Sequence, residues 1–207
     1  MTERETLRPG GMELTRRMLE SANFPPGARL FDVCCGGGAT VEMLLNAGFD
    51  AAGIDLDPGD FDPATDHLPV IRGSAYDLPC RDTSLDGIFC ECGFSSLAPD
   101  AALCEFARAL KAGGALLLSD LYSRAERAGK ARAGNLRVHT RENFESLLTS
   151  HGFELRRFED HSDALRAFLA RQIMECGGDR FCEKFRLDIS RMRPLKCGYC
   201  FLLAYKR

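Results

Sequence analysis

A glycine-rich turn between an apolar segment and a helical pattern constrains this chain more than any other feature. Residues 30–34 are apolar apart from Asp32, and three glycines at 36–38 follow at a distance of one residue. Glycines let the backbone approach a ligand closely, and the helix that follows points its N-terminal amides at the same place. The next apolar segment ends at Asp55, and an acid at the end of a second strand can accept hydrogen bonds from the two hydroxyls of a ribose. The pattern predicts a site for a nucleoside-containing cofactor.

The spacing of the glycines argues against a dinucleotide turn. Gly-x-Gly-x-x-Gly from Gly36 would need glycine at position 41, where the chain has Val41. Residues 32–38, Asp-Val-Cys-Cys-Gly-Gly-Gly, instead resemble motif I of the class I S-adenosylmethionine-dependent methyltransferases, Asp-x-Gly-x-Gly-x-Gly. Cys34 replaces the first glycine, and the same Asp-Val-Cys-Cys-Gly form occurs in the quinone C-methyltransferase branch of that family.

Three further segments resemble this family at the proper spacing. Residues 73–79 are similar to its adenine-contacting turn, although Ser74 stands in place of the usual aspartate. Residues 84–92 are similar to its fourth strand, whose end faces the transferred methyl group. Residues 110–118 are similar to the turn that leads into its fifth strand. The resemblance therefore covers residues 28 to about 120.

The order of elements predicts one α/β domain over residues 1–207. Strand and helix patterns alternate, which is typical of a parallel sheet with helices on both faces. The resemblance implies a Rossmann-like, doubly wound sheet of seven strands, mostly parallel with an antiparallel last strand. Residues 1–27 are expected to form an N-terminal helix or lid, and residues 161–196 a helical insertion before the last strand. Pro58, Gly59 and Pro63 disfavour a helix in the second crossover.

Local patterns give the expected element boundaries. The expected strands are residues 29–34, 50–56, 69–72, 85–92, 115–120, 153–159 and 198–206. The expected helices are residues 12–22, 39–47, 100–111, 140–151, 161–176 and 179–192. Residues 124–135 are polar, basic and glycine-containing, which predicts a flexible loop over a site or a frayed helix.

The resemblance implies the contacts of the cofactor, S-adenosylmethionine. Asp55 is expected to accept hydrogen bonds from both ribose hydroxyls, and Asp32 to organise the glycine turn. The Ser74 hydroxyl is a neutral and weaker acceptor than a carboxylate. A purely structural role stays open for Asp32, Tyr76 and Glu91. The expected cofactor contacts are Asp32, Cys34, Gly36, Gly38, Asp55, Leu56, Ser74, Ala75, Tyr76 and Glu91.

No catalytic residue is assigned, and three residues are candidates. Glu91 and Cys92 end the fourth strand near the expected reaction centre, and His139 precedes a helix near the expected substrate loop. Glu91 is either a base, a ligand for a cationic substrate group or a structural acid. Because the sulfonium already makes the methyl carbon electrophilic, orientation alone can lower the barrier by about 7–11 kcal/mol.

The ten cysteines are expected to be reduced thiols, since the chain shows no secretory signal. Four of them lie on two strands expected to be neighbours and could form a soft-ligand cluster for a metalloid: Cys34, Cys35, Cys90 and Cys92. Buried cysteines are also common as small packing residues. A zinc site on the later cysteines is disfavoured, because positions i and i+3 of a strand point to opposite faces. We expect no metal.

Charge and hydropathy narrow the range of partners. The net charge is −3, with acids and bases mixed along the chain, which argues against nucleic acid. No apolar run approaches the ~20 residues of a membrane span, so a cytoplasmic location is expected. The oligomeric state is left open.

Methyl transfer to a small-molecule acceptor by direct displacement is the leading interpretation. The chain lacks a basic face and an Asn-Pro-Pro-Tyr motif in the fourth strand, which favours a small acceptor. One alternative is a metalloid- or thiol-linked methyltransferase that uses the cysteine cluster. The other is a non-catalytic partner protein with the same fold, suggested by the departures at Cys34 and Ser74.

Overall fold

A mixed β-sheet organises the fold and places the glycine-rich turn near its middle. The computed structural model describes residues 6–59, 67–125, 131–133, 135–185 and 194–207. The strands are β1 (Arg29–Val33), β2 (Asp50–Asp55), β3 (Val70–Arg72), β4 (Leu85–Glu91), β5 (Leu110–Ser123), β6 (Ala131–Ala133), β7 (Leu136–Thr140), β8 (Phe153–Asp160) and β9 (Cys197–Lys206). The helices are α1 (Gly11–Ala22), α2 (Ala39–Asn46), α3 (Pro99–Ala109), α4 (Arg141–Ser150), α5 (Ser162–Cys176) and α6 (Gly178–Phe185).

The strand order reverses at β1, which creates a crevice at the carboxyl ends of the strands. Parallel strands run in the order β3-β2-β1-β4-β5, so the chain winds to one side of β1 and then to the other. Strand β9 pairs antiparallel with β5, and β8 pairs antiparallel with β9. These pairings confirm the predicted Rossmann-like, mostly parallel sheet with an antiparallel last strand. A ligand is expected beyond β1 and β4, where the winding changes direction.

The sheet has two more strands in the described residues than the seven predicted. Strand β7 pairs with Tyr122 and Ser123, and β6 pairs with β7. The prediction of a loop or frayed helix over 124–135 is therefore wrong at 131–133, and 126–130 and 134 lie outside the described residues. The polar pattern of residues 124–135 did not indicate these strands. Strand β7 forms because β5 extends past the end of β4 and leaves a backbone edge with which β7 can pair.

Several predicted boundaries need correction. Helix α3 ends at Ala109 and β5 begins at Leu110, so the predicted stop signal, Gly113-Gly114, lies inside a strand. Leu110 already pairs with Leu85, ahead of a register shift. The second crossover shows neither helix nor strand at Pro58, while Pro63 lies outside the described residues. The predicted helix over 179–192 is described only as far as Phe185, where α6 ends.

Two apolar layers, one on each face of the sheet, form the core. Helix α1 contributes Leu14, Met18 and Ala22 to one layer, at the spacing of a single helical face. A fully buried side chain such as Met18, at 0% exposure, stabilises the fold by about 1.5–3 kcal/mol. None of the helices in the described ranges has the length and apolar character of a membrane span. The division into an N-terminal lid and a helical insertion stays a prediction.

An ion-pair cluster on β8 fastens α1 to the sheet. Arg17 donates from Nε and Nη2 to the two carboxylate oxygens of Glu159, at 2.7 and 2.9 Å. His161 Nε2 lies 3.0 Å from the same carboxylate, and Arg157 lies 3.2 Å from it. The hydrogen bond from Arg17, followed by those from His161 and Arg157, lowers the pKa of Glu159 to about 2.

This depressed pKa predicts acid-sensitive stability. A carboxyl group whose pKa is lowered by folding stabilises the folded state at pH values above its pKa in the unfolded chain, which is near 4.5. This contribution to the unfolding free energy is lost as the pH falls towards 2. We expect the unfolding free energy of the wild type, measured in urea, to fall more steeply over this range than that of Glu159→Gln. Glu13→Gln, at a side chain that is 91% exposed, is the control. Equal slopes for wild type and Glu159→Gln would contradict the prediction.

Candidate functional site

A cleft of about 620 Å³ opens beyond the carboxyl ends of β1, β2 and β4. The residues that line it are 6–8 ahead of α1, 34–37 and 39 of the glycine-rich turn, 57–59 after β2, and 91–92 after β4. The cleft therefore occupies the crevice that the strand order creates. Segment 6–8 forms a wall of this cleft, which no motif in the sequence indicated.

The glycine-rich turn presents its backbone to the cleft. Gly36 and Gly38 have φ angles of +51° and +80°, in the left-handed region. At Gly38 an added Cβ would lie 2.7 Å from Val70 Cγ2, whereas at Gly36 it would meet open space. Gly36 keeps the turn accessible, and Gly38 permits the close approach of β3 at the start of α2.

Asp55, at the end of β2, connects this turn with the loop after β2. Its Oδ2 accepts a hydrogen bond from the Gly36 amide at 2.8 Å, and its Oδ1 accepts one from the Asp57 amide at 2.9 Å. Each carboxylate oxygen has a second lone-pair site, so the half-buried side chain retains acceptor capacity for two hydroxyl groups. Leu56, by contrast, is 76% exposed.

The replacement of the first motif glycine by Cys34 is accommodated by a glycine on another loop. Cys34 has a φ of +64°, which favours glycine. Its side chain occupies the space beside Gly93, where an added Cβ would overlap Cys34 Cβ and lie 2.7 Å from its Sγ. Gly93 follows β4, and no motif in the sequence indicated this contact.

We therefore expect Gly93→Ala to destabilise the fold by about 1–3 kcal/mol through overpacking. Cys34→Gly in the same chain is expected to restore part of that stability, because it removes the overlapping atoms and suits the left-handed backbone. Chemical unfolding of the two single variants and the double variant forms a double-mutant cycle. If the changes in unfolding free energy of the two single variants simply add in the double variant, the contact between Cys34 and Gly93 does not affect stability.

A buried polar network surrounds Glu91, the last residue of β4. The Glu91 side chain is 3% exposed and pairs with Arg8 at 3.1 Å. Thr15 and Thr40 donate to its carboxylate at 3.0 Å, and Ser119 lies at 3.5 Å. These donors come from four separate parts of the chain. Glu91 is thus bound on several sides rather than free at the end of its strand.

The network was missed because its members carry no motif. Thr15 is fully buried on the apolar face of α1, and a hydroxyl at such a position was the available signal. Arg8 lies before α1, in the segment that was expected to form an N-terminal helix or lid. Thr40 lies in the first turn of α2, where a polar residue is ordinary. Contacts between residues so far apart in sequence require the tertiary structure.

Asp32 and Asp120 are the two other buried acids near the cleft. Burial, and then the nearby Glu91, raise the pKa of Asp32 well above its ordinary value, while Arg8 opposes the rise. Asp120 accepts hydrogen bonds from the amides of Ser95 at 2.7 Å and Leu121 at 2.6 Å, yet burial raises its pKa to about 6. Asp120 thereby joins β5 to the segment after β4, and neither acid is among the residues that line the cleft.

Cys92 faces the cleft and lies beside Tyr199, a completely buried residue of β9. Its thiol lies 3.0 Å from the Tyr199 hydroxyl, which in turn donates to Ser119 at 3.0 Å. Although Cys92 is exposed to the cleft, the surrounding protein and the Asp120 carboxylate raise the pKa of its thiol to about 12. At neutral pH Cys92 is therefore a neutral thiol.

The turn expected to contact adenine is formed, although it is not part of the cleft lining. Ser74 Oγ accepts a hydrogen bond from the Tyr76 amide at 3.2 Å. The Tyr76 hydroxyl accepts one from the Ala98 amide at 2.8 Å, which anchors the turn to the start of α3. Ala75 is buried. The adenine contacts of these residues stay a prediction.

His139 lies on β7, away from the residues that line the cleft. Its ring contacts Phe144 and Phe94, with centroids 5.1 and 6.4 Å apart, and burial lowers its pKa. Cys34, directly after β1, and Cys90, on β4, are neighbours, but no group of three or more His, Cys, Asp or Glu side chains in the described chain could hold a metal. A catalytic role for His139 and a cysteine-bound metalloid both lack structural support.

The donor set of the cleft fits an adenosyl amino acid. The cleft offers open glycine backbone and the carboxylates of Asp57 and Glu91, which suit a ligand with a cationic sulfonium and ammonium. Asp55 is not among the lining residues, but it is hydrogen-bonded to Gly36, which is. A single cation among the lining residues, Arg8, is available for an anionic group.

Comparisons with known proteins agree with this geometry. Residues 31–118 match the family model described as a methyltransferase domain. The chain is 30% identical over 124 residues to an uncharacterized methyltransferase of Synechocystis, covering 56% of this chain and 58% of that protein. It is also 30% identical over 109 residues to a demethylmenaquinone methyltransferase of Renibacterium salmoninarum, covering 51% and 46%. The chain thus spans about half the length of these curated relatives.

A solved structure extends the likeness to nearly the whole chain. Geranyl diphosphate C-methyltransferase from Streptomyces coelicolor superimposes with a TM-score of 0.78 at 14% identity, over 95% of this chain and 80% of that one. At this identity the likeness is one of fold.

Proposed function

We propose that this chain is a methyltransferase of the class I S-adenosylmethionine-dependent family and that it transfers the methyl group of that donor to a small-molecule acceptor. The observation that carries the proposal is the meeting of the open Gly36 backbone and the Asp55 carboxylate, 2.8 Å apart, at the edge of the cleft. The demethylmenaquinone methyltransferase among the relatives supports a small organic acceptor.

We propose that residues at the ends of different strands bind different parts of the donor. We assign the ribose hydroxyls to the Asp55 carboxylate, and the sugar and the amino-acid part to the backbone of 36–38. Ser74, Ala75 and Tyr76 form the turn proposed for adenine. When bound, the donor supplies a methyl group on a positively charged sulfur, which is already reactive towards nucleophiles.

Positioning rather than proton abstraction is the contribution we assign to the protein. The Glu91 carboxylate is occupied by an ion pair with Arg8 and by the hydroxyls of Thr15 and Thr40, which leaves it poorly suited to act as a base. Cys92 is protonated at neutral pH because its pKa is near 12. We therefore assign no proton abstraction to Glu91 or Cys92, and we propose that alignment of the reacting atom of the acceptor with the methyl group supplies most of the rate.

Binding and transfer can be tested separately. We expect calorimetry to detect S-adenosylhomocysteine binding, and S-adenosylmethionine labelled in its methyl group to pass label to an extractable product from a panel of small organic acceptors. Asp50→Asn, at the opposite end of β2 from the cleft, is the matched control and should bind like the wild type. No heat of binding at millimolar ligand would contradict the proposal and favour a non-catalytic role.

A further inference from the structure

One buried donor of the guanidinium of Arg8 has no acceptor, and this atom belongs to a side chain that lines the cleft. Arg8 Nε is buried and donates to no partner among the described residues. The contacts of Arg8 converge instead on Nη2, which lies 2.6 Å from Thr15 Oγ1, 3.0 Å from Thr40 Oγ1 and 3.1 Å from Glu91 Oε1. A buried, charged donor without an acceptor is unfavourable, so Nε is available to an acceptor atom of a ligand in the cleft.

The surroundings of Arg8 specify the charge of that ligand. Among the lining residues that the structure describes, Arg8 is the one cation, whereas Asp57 and Glu91 are acids. Thr15, Thr40 and Glu91 hold the guanidinium in place from three elements, so it is ordered before a ligand arrives. An oriented guanidinium binds carboxylates through paired hydrogen bonds.

The sheet order specifies which end of the ligand meets Arg8. Strand β1 lies between β2 and β4, and neighbouring strands are about 4.8 Å apart, so Asp55 and Glu91 end strands about 10 Å apart. Asp55 stands at the proposed ribose position, and Arg8 is tied to Glu91 on the far side. That separation matches the distance from the ribose to the amino-acid group of an adenosyl amino acid.

We propose that Arg8 binds the carboxylate of the methyl donor and that Glu91, Thr15 and Thr40 position it for that contact. This inference rests on the proposed function, because it assumes that the donor occupies the cleft. It assigns a donor-binding role to the segment ahead of α1, outside the motifs that resemble the family. An anionic acceptor molecule is the other source of a carboxylate, and the experiment separates the two.

The experiment compares two ligands in four forms of the protein. S-adenosylhomocysteine carries the carboxylate, and decarboxylated S-adenosylhomocysteine lacks it. Calorimetry would be performed on the wild type, Arg8→Met, Arg8→Lys and the control Arg16→Met, whose side chain is exposed on α1. Thermal unfolding of each variant checks that the fold is intact.

We expect Arg8→Met to weaken binding of S-adenosylhomocysteine by roughly ten- to a hundredfold. The affinity for the decarboxylated ligand should change by less than about twofold, because that ligand has no carboxylate and makes no such contact with Arg8 in the wild type either. Arg8→Lys should lie between wild type and Arg8→Met, because an ammonium is a point charge without the planar pair of donors. Arg16→Met should bind both ligands like the wild type.

Three other results would overturn the inference. Equal weakening of both ligands by Arg8→Met would show that Arg8 only supports the fold of the cleft. Unchanged binding of both, with slower transfer to anionic acceptors alone, would assign Arg8 to the acceptor. Absence of S-adenosylhomocysteine binding in the wild type would remove the proposed function as well, which distinguishes that failure from the first two.

Discussion

Asp55→Asn is expected to weaken binding of S-adenosylhomocysteine by about 2–4 kcal/mol, roughly 30- to 1,000-fold. The substitution keeps the shape of the side chain but removes the charge and one acceptor oxygen at the proposed ribose position. The carboxylate also accepts from the amides of Gly36 and Asp57, so a loss of about 1 kcal/mol in stability should accompany the change. Calorimetry measures the first effect and urea unfolding the second.

Asp50 provides the control for this experiment, because it begins the strand that Asp55 ends. Its side chain is 64% exposed and pairs with Arg29, far from the cleft. Asp50→Asn should leave the affinity for S-adenosylhomocysteine unchanged within about twofold. An Asp55→Asn variant that binds as tightly as the wild type would show that the ribose lies elsewhere.

Glu91→Ala is expected to lower the unfolding free energy by about 3–5 kcal/mol, the range for removing one partner of a buried ion pair. The change leaves the Arg8 guanidinium buried without its carboxylate, and it deprives the hydroxyls of Thr15 and Thr40 of an acceptor. Urea unfolding at neutral pH measures the loss. Arg8→Met in the Glu91→Ala background should recover part of it, because no uncompensated charge then remains.

Glu13→Ala, at a position on α1 that is 91% exposed, should stay within about 0.5 kcal/mol of the wild type. A Glu91→Ala variant that loses less than about 1 kcal/mol would mean that water replaces the carboxylate at little cost. In that case the network would not be the rigid support that positions Arg8.

The local features of the fold were predictable because each depends on a short stretch of sequence. The left-handed angles of Gly36 and Gly38 follow from glycine itself, and the apolar periods predicted the central strands and most helices. The predicted helix over 140–151 forms as α4, and Thr140 caps it, with its hydroxyl accepting from the Asn143 amide at 3.2 Å. Predictions failed where pairing rather than pattern decides, as at β6, at β7 and at the start of β5.

The sequence by itself determined the order of the central strands and of the helices, and the glycine turn with its acid, Asp55, since these arise from backbone preferences and from nearby residues. The tertiary structure alone decided what supports the cleft. Glu91 meets Thr15, 76 residues away, and Cys34 fits only because Gly93 lacks a side chain. Such contacts have no local signature, because a buried polar or small residue is favourable only when folding brings the matching partner to it.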